Sequence, residues 1–219
     1  MKKLNRYEEY IVAACNLYGM VSIIKISDIY EEHNNEAFDK TKISTDVLDT
    51  NSISEIDGYF VTEAVEDSYG EHLKIIRGKP YYIPNKEVFL EYIDEGYFED
   101  NPYINDFRKY VYTLTDSNVK RENIIDSALF QFMLSSRIQS VLDDVIDILD
   151  LVFDSKEEAL VMYDHLVKLQ NNSRMWTNNG YTPIELGEIR ANAVKVRRNS
   201  SCSCGSGKKY KKCCLLKVN

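Results

Sequence analysis

The stretch from Arg137 to Phe153, RIQSVLDDVIDILDLVF, decides the fold class. Ile138, Val141, Leu142, Val145, Ile148, Leu149 and Val152 recur every three or four positions, and Asp143, Asp144, Asp147 and Asp150 fall outside that stripe. This is the period of an amphipathic helix with one buried face. Upstream, residues 86–95, 103–112 and 121–135 carry the same period. Downstream, Ser155 with Glu157 and Glu158 reads as a helix start, and that helix runs to Gln170. The clusters Asn171-Asn172-Ser173 and Asn178-Asn179-Gly180 are breakers. Thr182-Pro183-Ile184-Glu185 then opens a last helix, through Val194, with proline at its first position. The chain is therefore expected to be mainly helical.

The N-terminal part adds a second pattern. Residues 7–18 place Tyr7, Tyr10, Ile11, Ala14, Cys15 and Tyr18 at helical spacing, and Gly19 is a natural stop. Residues 22–33 read as a second helix with Ile23, Ile26, Ile29 and Tyr30 on one side, and residues 43–50 as a short third. Residues 59–65 (YFVTEAV) and 73–83 (LKIIRGKPYYI) are rich in β-branched and aromatic side chains, and a turn-like stretch around Glu66 to Gly70 separates them. They are expected to pair as a small β-hairpin. Three short helices and a hairpin follow the order of a winged helix-turn-helix. The expected organisation is residues 1–88 as this α-plus-hairpin part, 89–194 as a helical domain, and 200–217 as a cysteine-rich terminus.

Charge divides the chain more sharply than hydropathy does. The 219 residues hold 27 basic and 35 acidic side chains, a formal net charge of −8. From Arg190 onward there are nine basic residues and no acid, so residues 1–189 carry −17. That acidic body repels phosphate and rules out a general nucleic-acid coat. No apolar run approaches the ~18 residues that span a bilayer. The opening MKKLNRYEEY has no apolar stretch behind its lysines, so no export signal and a cytoplasmic location are expected.

The cysteines divide in the same way. Cys15 lies in the body and is expected to be a small core residue. Cys202, Cys204, Cys213 and Cys214 lie within the tail, in CSCGSGKKYKKCC, a C-x-C-x8-C-C spacing. In a reducing compartment, clustered cysteines point to metal before disulfide. Four thiolates can close a tetrahedral zinc site with Zn–S bonds of about 2.3 Å. Iron, which soft thiolates also accept, is the alternative. Gly205 and Gly207 let the backbone turn around the ion. The segment is too short to bury a core, so the metal would supply its folding free energy. With the metal and four ionised thiols counted, the tail would carry about +7.

CSCGSGKKYKKCC resembles the SEC-C motif, the small metal-binding module at the C-terminus of the SecA preprotein translocase ATPase and of many unrelated bacterial proteins. The family pattern is CPCGSGKKYKKCC, or the same with a final His. This sequence departs at Ser203, where Pro is usual, and at Leu215, where Gly often follows. The resemblance covers Ser200 to Lys217. It implies zinc on Cys202, Cys204, Cys213 and Cys214. In SecA the module docks on the acidic surface of the SecB chaperone and has ties to the ribosome. Residues 171–176 with 180–186 and the opening YEEYIVAACNLYGMVS are also similar to uncharacterised proteins of low-GC Gram-positive bacteria and their phages.

The remaining motifs read as structural. Gly205-Ser-Gly-Lys-Lys lacks the first glycine and the Ser/Thr of a phosphate loop. Ser117-Asn-Val-Lys120 fits S-x-x-K, a pattern frequent by chance. His33, His72 and His165 lie in no metal-protease pattern, and each reads as capping, surface or core. The aspartates of 143–150 read as a solvated helix face, and Arg174 with Trp176 as a turn packed on helices. No nucleophile–base–orienter set is visible, so no enzyme is expected. Lys208, Lys209, Lys211 and Lys212 around Tyr210 fit an acidic protein surface. Nucleic acid is the alternative partner, because zinc knuckles use the same Lys-Tyr-Lys chemistry on RNA. A basic tail and an acidic body can also bind each other.

Overall fold

Asn5 starts the first helix because its side chain supplies what the helix end lacks. In the computed structural model, which describes residues 3–194 and 208–212, Asn5 Oδ1 accepts from the amides of Tyr7 (2.9 Å) and Glu8 (3.1 Å). Glu8 Oε2 accepts from the Asn5 amide in return (2.8 Å), which completes a capping box. The other Glu8 oxygen takes the Ser44 amide at 3.1 Å, so this nearly buried carboxylate also anchors a distant loop. Helix α1 (Arg6–Tyr18) buries Tyr10, Ile11, Val12, Ala13, Ala14, Cys15, Leu17 and Tyr18. A helix apolar around most of its girth belongs at the centre of a fold, and α1 has that place. Gly19 ends it at φ +72°.

The chain continues through β1 (Met20–Ser22), α2 (Ile23–Asn34) and a 3-10 turn (Lys40–Lys42) to α3 (Thr45–Thr50), β2 (Ile53–Ile56) and β3 (Tyr59–Thr62). The strands form an antiparallel sheet in the order β1-β3-β2, with Val21 and Glu55 flanking Phe60. Asp57 and Gly58 join β2 to β3 with φ of +49° and +79°, the left-handed pair that a two-residue hairpin turn requires.

The expected hairpin partner is corrected here. Residues 59–62 are a strand, but they pair with 53–56 and 20–22, not with 73–83. Residues 63–66 form the one-turn helix α4 (Glu63–Glu66), and LKII lies in α5 (Tyr69–Ile76). His72 and Ile76, four apart, are the buried positions of α5. This helical spacing overrides the β propensity of a short apolar run. His72 thus sits in a helix rather than at a hairpin. Arg77 and Gly78 (φ +76°) end α5, and residues 79–85 are irregular.

Then come α6 (Lys86–Glu91), α7 (Pro102–Leu114), α8 (Asn118–Met133), α9 (Ile138–Leu149) and α10 (Lys156–Asn171). Helices α7 to α10 pack in a ring of four, α8 and α10 also touching across it, around Phe107, Val111, Ile124, Phe132, Val141, Val145, Met162 and Leu166. Each such side chain contributes about 1.5–3 kcal/mol by leaving water. Helix α9 stops before its expected end. Asp150 takes the left-handed conformation (φ +52°) and Val152 stands 86% exposed, outside the stripe assigned to it. Aspartate tolerates that conformation better than most residues.

Two compact units are distinguished, Met1–Pro183 and Ile184–Asn219. The first is mainly helical with the small sheet. The second begins within α11 (Pro183–Val194), and its other described element is a 3-10 turn at Tyr210–Lys212.

Candidate functional site

The tail residues with chemical potential fall in two groups. Cys202, Cys204, Cys213 and Cys214 lie outside the described residues. Lys208 to Lys212 are described, and Tyr210–Lys212 form one 3-10 turn closed by the Lys212 amide on the Lys209 carbonyl (2.8 Å). Lys208, Lys209 and Lys212 are exposed and Lys211 is half-buried. Positions three apart eclipse in such a turn, so Lys209 and Lys212 bracket it on one side, immediately before Cys213-Cys214 in sequence. Four thiols and a turn that concentrates cations suit a metal-fixed loop, and thiolate is the donor that zinc prefers in closed structural sites.

Among the described residues of the body, no three His, Cys, Asp or Glu side chains group so as to hold a metal ion. Cys15 is fully buried, and burial pushes its thiol well above the usual range. That makes it an inert core residue, as its place in the helical pattern implies. The histidines are scattered. His33 Nε2 lies 3.1 Å from the Pro84 carbonyl, which can only accept, so this nitrogen carries the proton. His165 stacks on Tyr110 with centroids 4.3 Å apart. His72 is buried and its Nε2 has no hydrogen-bond partner among the described residues. Burial lowers the pKa of all three.

The other motifs have structural roles. Ser117 Oγ accepts from the Lys120 amide, so the S-x-x-K match is a helix cap. Asp143 and Asp144 accept from Gln139 and Gln131 on the solvated side of α9. The Arg174–Trp176 turn packs inward. Arg174 lies 3.5 Å over the Tyr82 ring and pairs with Glu99 at 3.0 Å, while Trp176 is 5% exposed. Sequence reasoning missed Glu99, which also accepts from Tyr82 Oη (3.2 Å) and Tyr92 Oη (2.8 Å). A carboxylate among aromatics 75 positions from its arginine leaves no local pattern to read.

Among the described residues no helix is long and apolar enough to cross a membrane. Against known families, residues 198–216 match the SEC-C motif. The chain is 24% identical over 173 residues to the protein translocase subunit SecA of Xanthomonas euvesicatoria pv. vesicatoria and of Xanthomonas axonopodis pv. citri. It is 22% identical to SecA of Xanthomonas oryzae pv. oryzae. These similarities cover 70% of this chain but span 19% of the length of the SecA proteins. No solved structure matches.

Proposed function

We propose that this protein is a zinc-dependent interaction factor whose basic tail docks on an acidic protein surface. The observation that carries the reading is the SEC-C match at residues 198–216, with exposed Lys208, Lys209 and Lys212 inside it. Cys202, Cys204, Cys213 and Cys214 hold one zinc ion, which fixes the loop and leaves no open position for water, so the tail recognises rather than catalyses. Lys208, Lys209, Lys211 and Lys212 supply charge, and Tyr210 supplies a compact aromatic anchor. Such docking is expected in the cytoplasm, where the thiols stay reduced.

A second reading, nucleic-acid binding, draws on residues 6–62. Helix, strand, two helices and two strands, with β3 central, is the order of a winged helix. Its third helix, Thr45–Thr50, carries Asp46 and Asp49 and no basic residue, whereas helices that enter DNA are basic. This favours a scaffold or protein-binding role for that part.

Metal analysis of the purified full chain against Cys202→Ser plus Cys204→Ser tests the site. Stoichiometric zinc in the parent and none in the variant is expected, and retained zinc would refute the ligand set. Pull-downs with and without nuclease, repeated with Lys208, Lys209, Lys211 and Lys212 changed to Glu, separate the two readings. Partners lost on nuclease treatment favour nucleic acid.

A further inference from the structure

The acidic body contains a groove of opposite character. Its volume is about 540 Å³, and it lies between the start of α2, the Tyr59 end of β3 and the C-terminal end of α5 with the stretch that follows. Lys25, Lys74, Arg77 and Lys79 all line it, and no Asp or Glu does so among the described residues. In a segment 1–88 of net charge −6, that clustering is local and deliberate in its effect.

The four cations are not equivalent. Lys79 Nζ donates to the Thr177 carbonyl (2.6 Å) and Asn178 Oδ1 (3.3 Å), and Lys25 pairs with Asp28 at 3.3 Å. Lys74 and Arg77 are exposed and make no ion pair with any described residue. Beside them lies apolar surface in the form of Ile24, 76% exposed, with half-buried Leu73. Exposed isoleucine next to unpaired cations is what an amphipathic acidic segment would cover.

We propose that this groove binds an acidic segment of a partner protein, with one apolar side chain set against Ile24 and Leu73 and flanking carboxylates on Lys74 and Arg77. The site is separate from the zinc tail and goes beyond the reading of that tail, because it would give the protein a second point of attachment. A peptide fits better than a nucleic acid. Tyr81, an aromatic of the groove, already meets the Tyr18 ring at 89° (5.0 Å) and the Lys25 ammonium at 5.8 Å from its centroid, partners a base would have to displace or share. Tyr59 likewise makes a T-shaped contact with Tyr69 at 6.1 Å. A polynucleotide would also run on over acidic surface, whereas a short peptide meets only charges within about a Debye length, ~8 Å.

The experiment uses the full chain with Lys208, Lys209, Lys211 and Lys212 changed to Ser, so that the tail neither supplies the binding nor offers the groove an acidic segment of its own. Probes are fluorescein-labelled peptides with several Asp or Glu around one Leu, Ile, Phe or Trp, and an oligodeoxythymidine of similar length, read by anisotropy. Micromolar binding of members of the peptide panel is expected. It should weaken by about tenfold or more, ~1.4 kcal/mol per tenfold, with Lys74→Glu plus Arg77→Glu, and partially with Lys74→Gln plus Arg77→Gln. Ile24→Ser should weaken it without altering its salt dependence. Thermal melts establish that each variant is folded; should the Glu pair not fold, the Gln pair decides. Unchanged affinity in folded charge variants, absence of binding across the panel, or tighter binding of the oligonucleotide through the same residues would each overturn the proposal. None of these results bears on zinc in the tail.

Discussion

The indole nitrogen of Trp176 donates to the backbone carbonyl of Asn16 at 2.9 Å, across 160 positions of sequence. The same ring lies on Gly19, where a Cβ would come within 2.5 Å of two indole carbons. Gly19 is therefore required twice, for its φ of +72° and for the space above it. Trp176→Ala should cost about 3–5 kcal/mol. Gly19→Ala, which stabilises by about 0.4–1 kcal/mol at compatible sites, should here destabilise by more than that amount. Trp176→Phe keeps most of the packing but strands the Asn16 carbonyl, a loss of about 1–3 kcal/mol. Urea unfolding followed by far-ultraviolet circular dichroism measures all three without needing the chain's one tryptophan as a probe.

Arg174→Lys tests whether the Glu99 cluster needs a planar cation. Arg174 and Glu99 side chains are 16% and 23% exposed, so the pair is only partly screened by water. A lysine can reach the carboxylate but cannot lie flat on Tyr82 while doing so. A loss of about 1–3 kcal/mol is expected, smaller than for Arg174→Ala. An equal loss in both variants would place all of the effect in the stacking.

The helices were largely legible in the sequence, because α1, α2, α8 and α10 each carry a cap signal and an apolar face that agree. The sheet was read less well. The pairing of β2 with β3 carries a direct signal, Asp57-Gly58 between apolar residues, that the reading of 59–65 and 73–83 as a pair did not use. Only the first four residues of 73–83 have regular structure, and they are helical because His72 and Ile76 bury on one side of α5, which only the tertiary core decides. β1 is three residues long and has no period to detect. The tail's cysteine motif was legible because its spacing is confined to a short stretch of sequence, which residues 198–216 match as the SEC-C motif. The Lys74–Arg77 groove was not, since it draws on residues from 22 to 81 that only folding brings together.

Stability should fall as pH drops below neutrality. Burial holds His33, His72 and His165 below the ordinary value of 6.5, and Lys79 adds to the effect at His72. The unfolded chain takes up protons near 6.5, while the folded chain resists until lower pH. The unfolded state thus binds more protons in that window, and its population gains. Stability is complete above about 6.5 and is lost as pH falls toward the depressed folded values. Urea midpoints between pH 7.5 and 5.5 should decline in the parent and decline less in His72→Leu. An identical slope in that variant would remove His72 from the account.

Thiol titration should separate the body from the tail. Cys15 is buried and its thiol is pushed up by burial, so it should stay silent toward a disulfide reagent in the folded chain. Metal on the tail should protect the other four thiols until a chelator is added. Four thiols released by chelation and a fifth only on unfolding in urea is the expected sequence.

The contact between Trp176 and Asn16 has a consequence in time as well as in energy. Synthesis runs from the N-terminus, at roughly 5–20 residues per second. With 160 positions between the two partners, the nascent chain carries an uncovered Gly19 face on the order of ten seconds before the indole exists. The first helix made is the one that waits longest for its cover, and a ribosome stalled before residue 176 would hold an unfinished body.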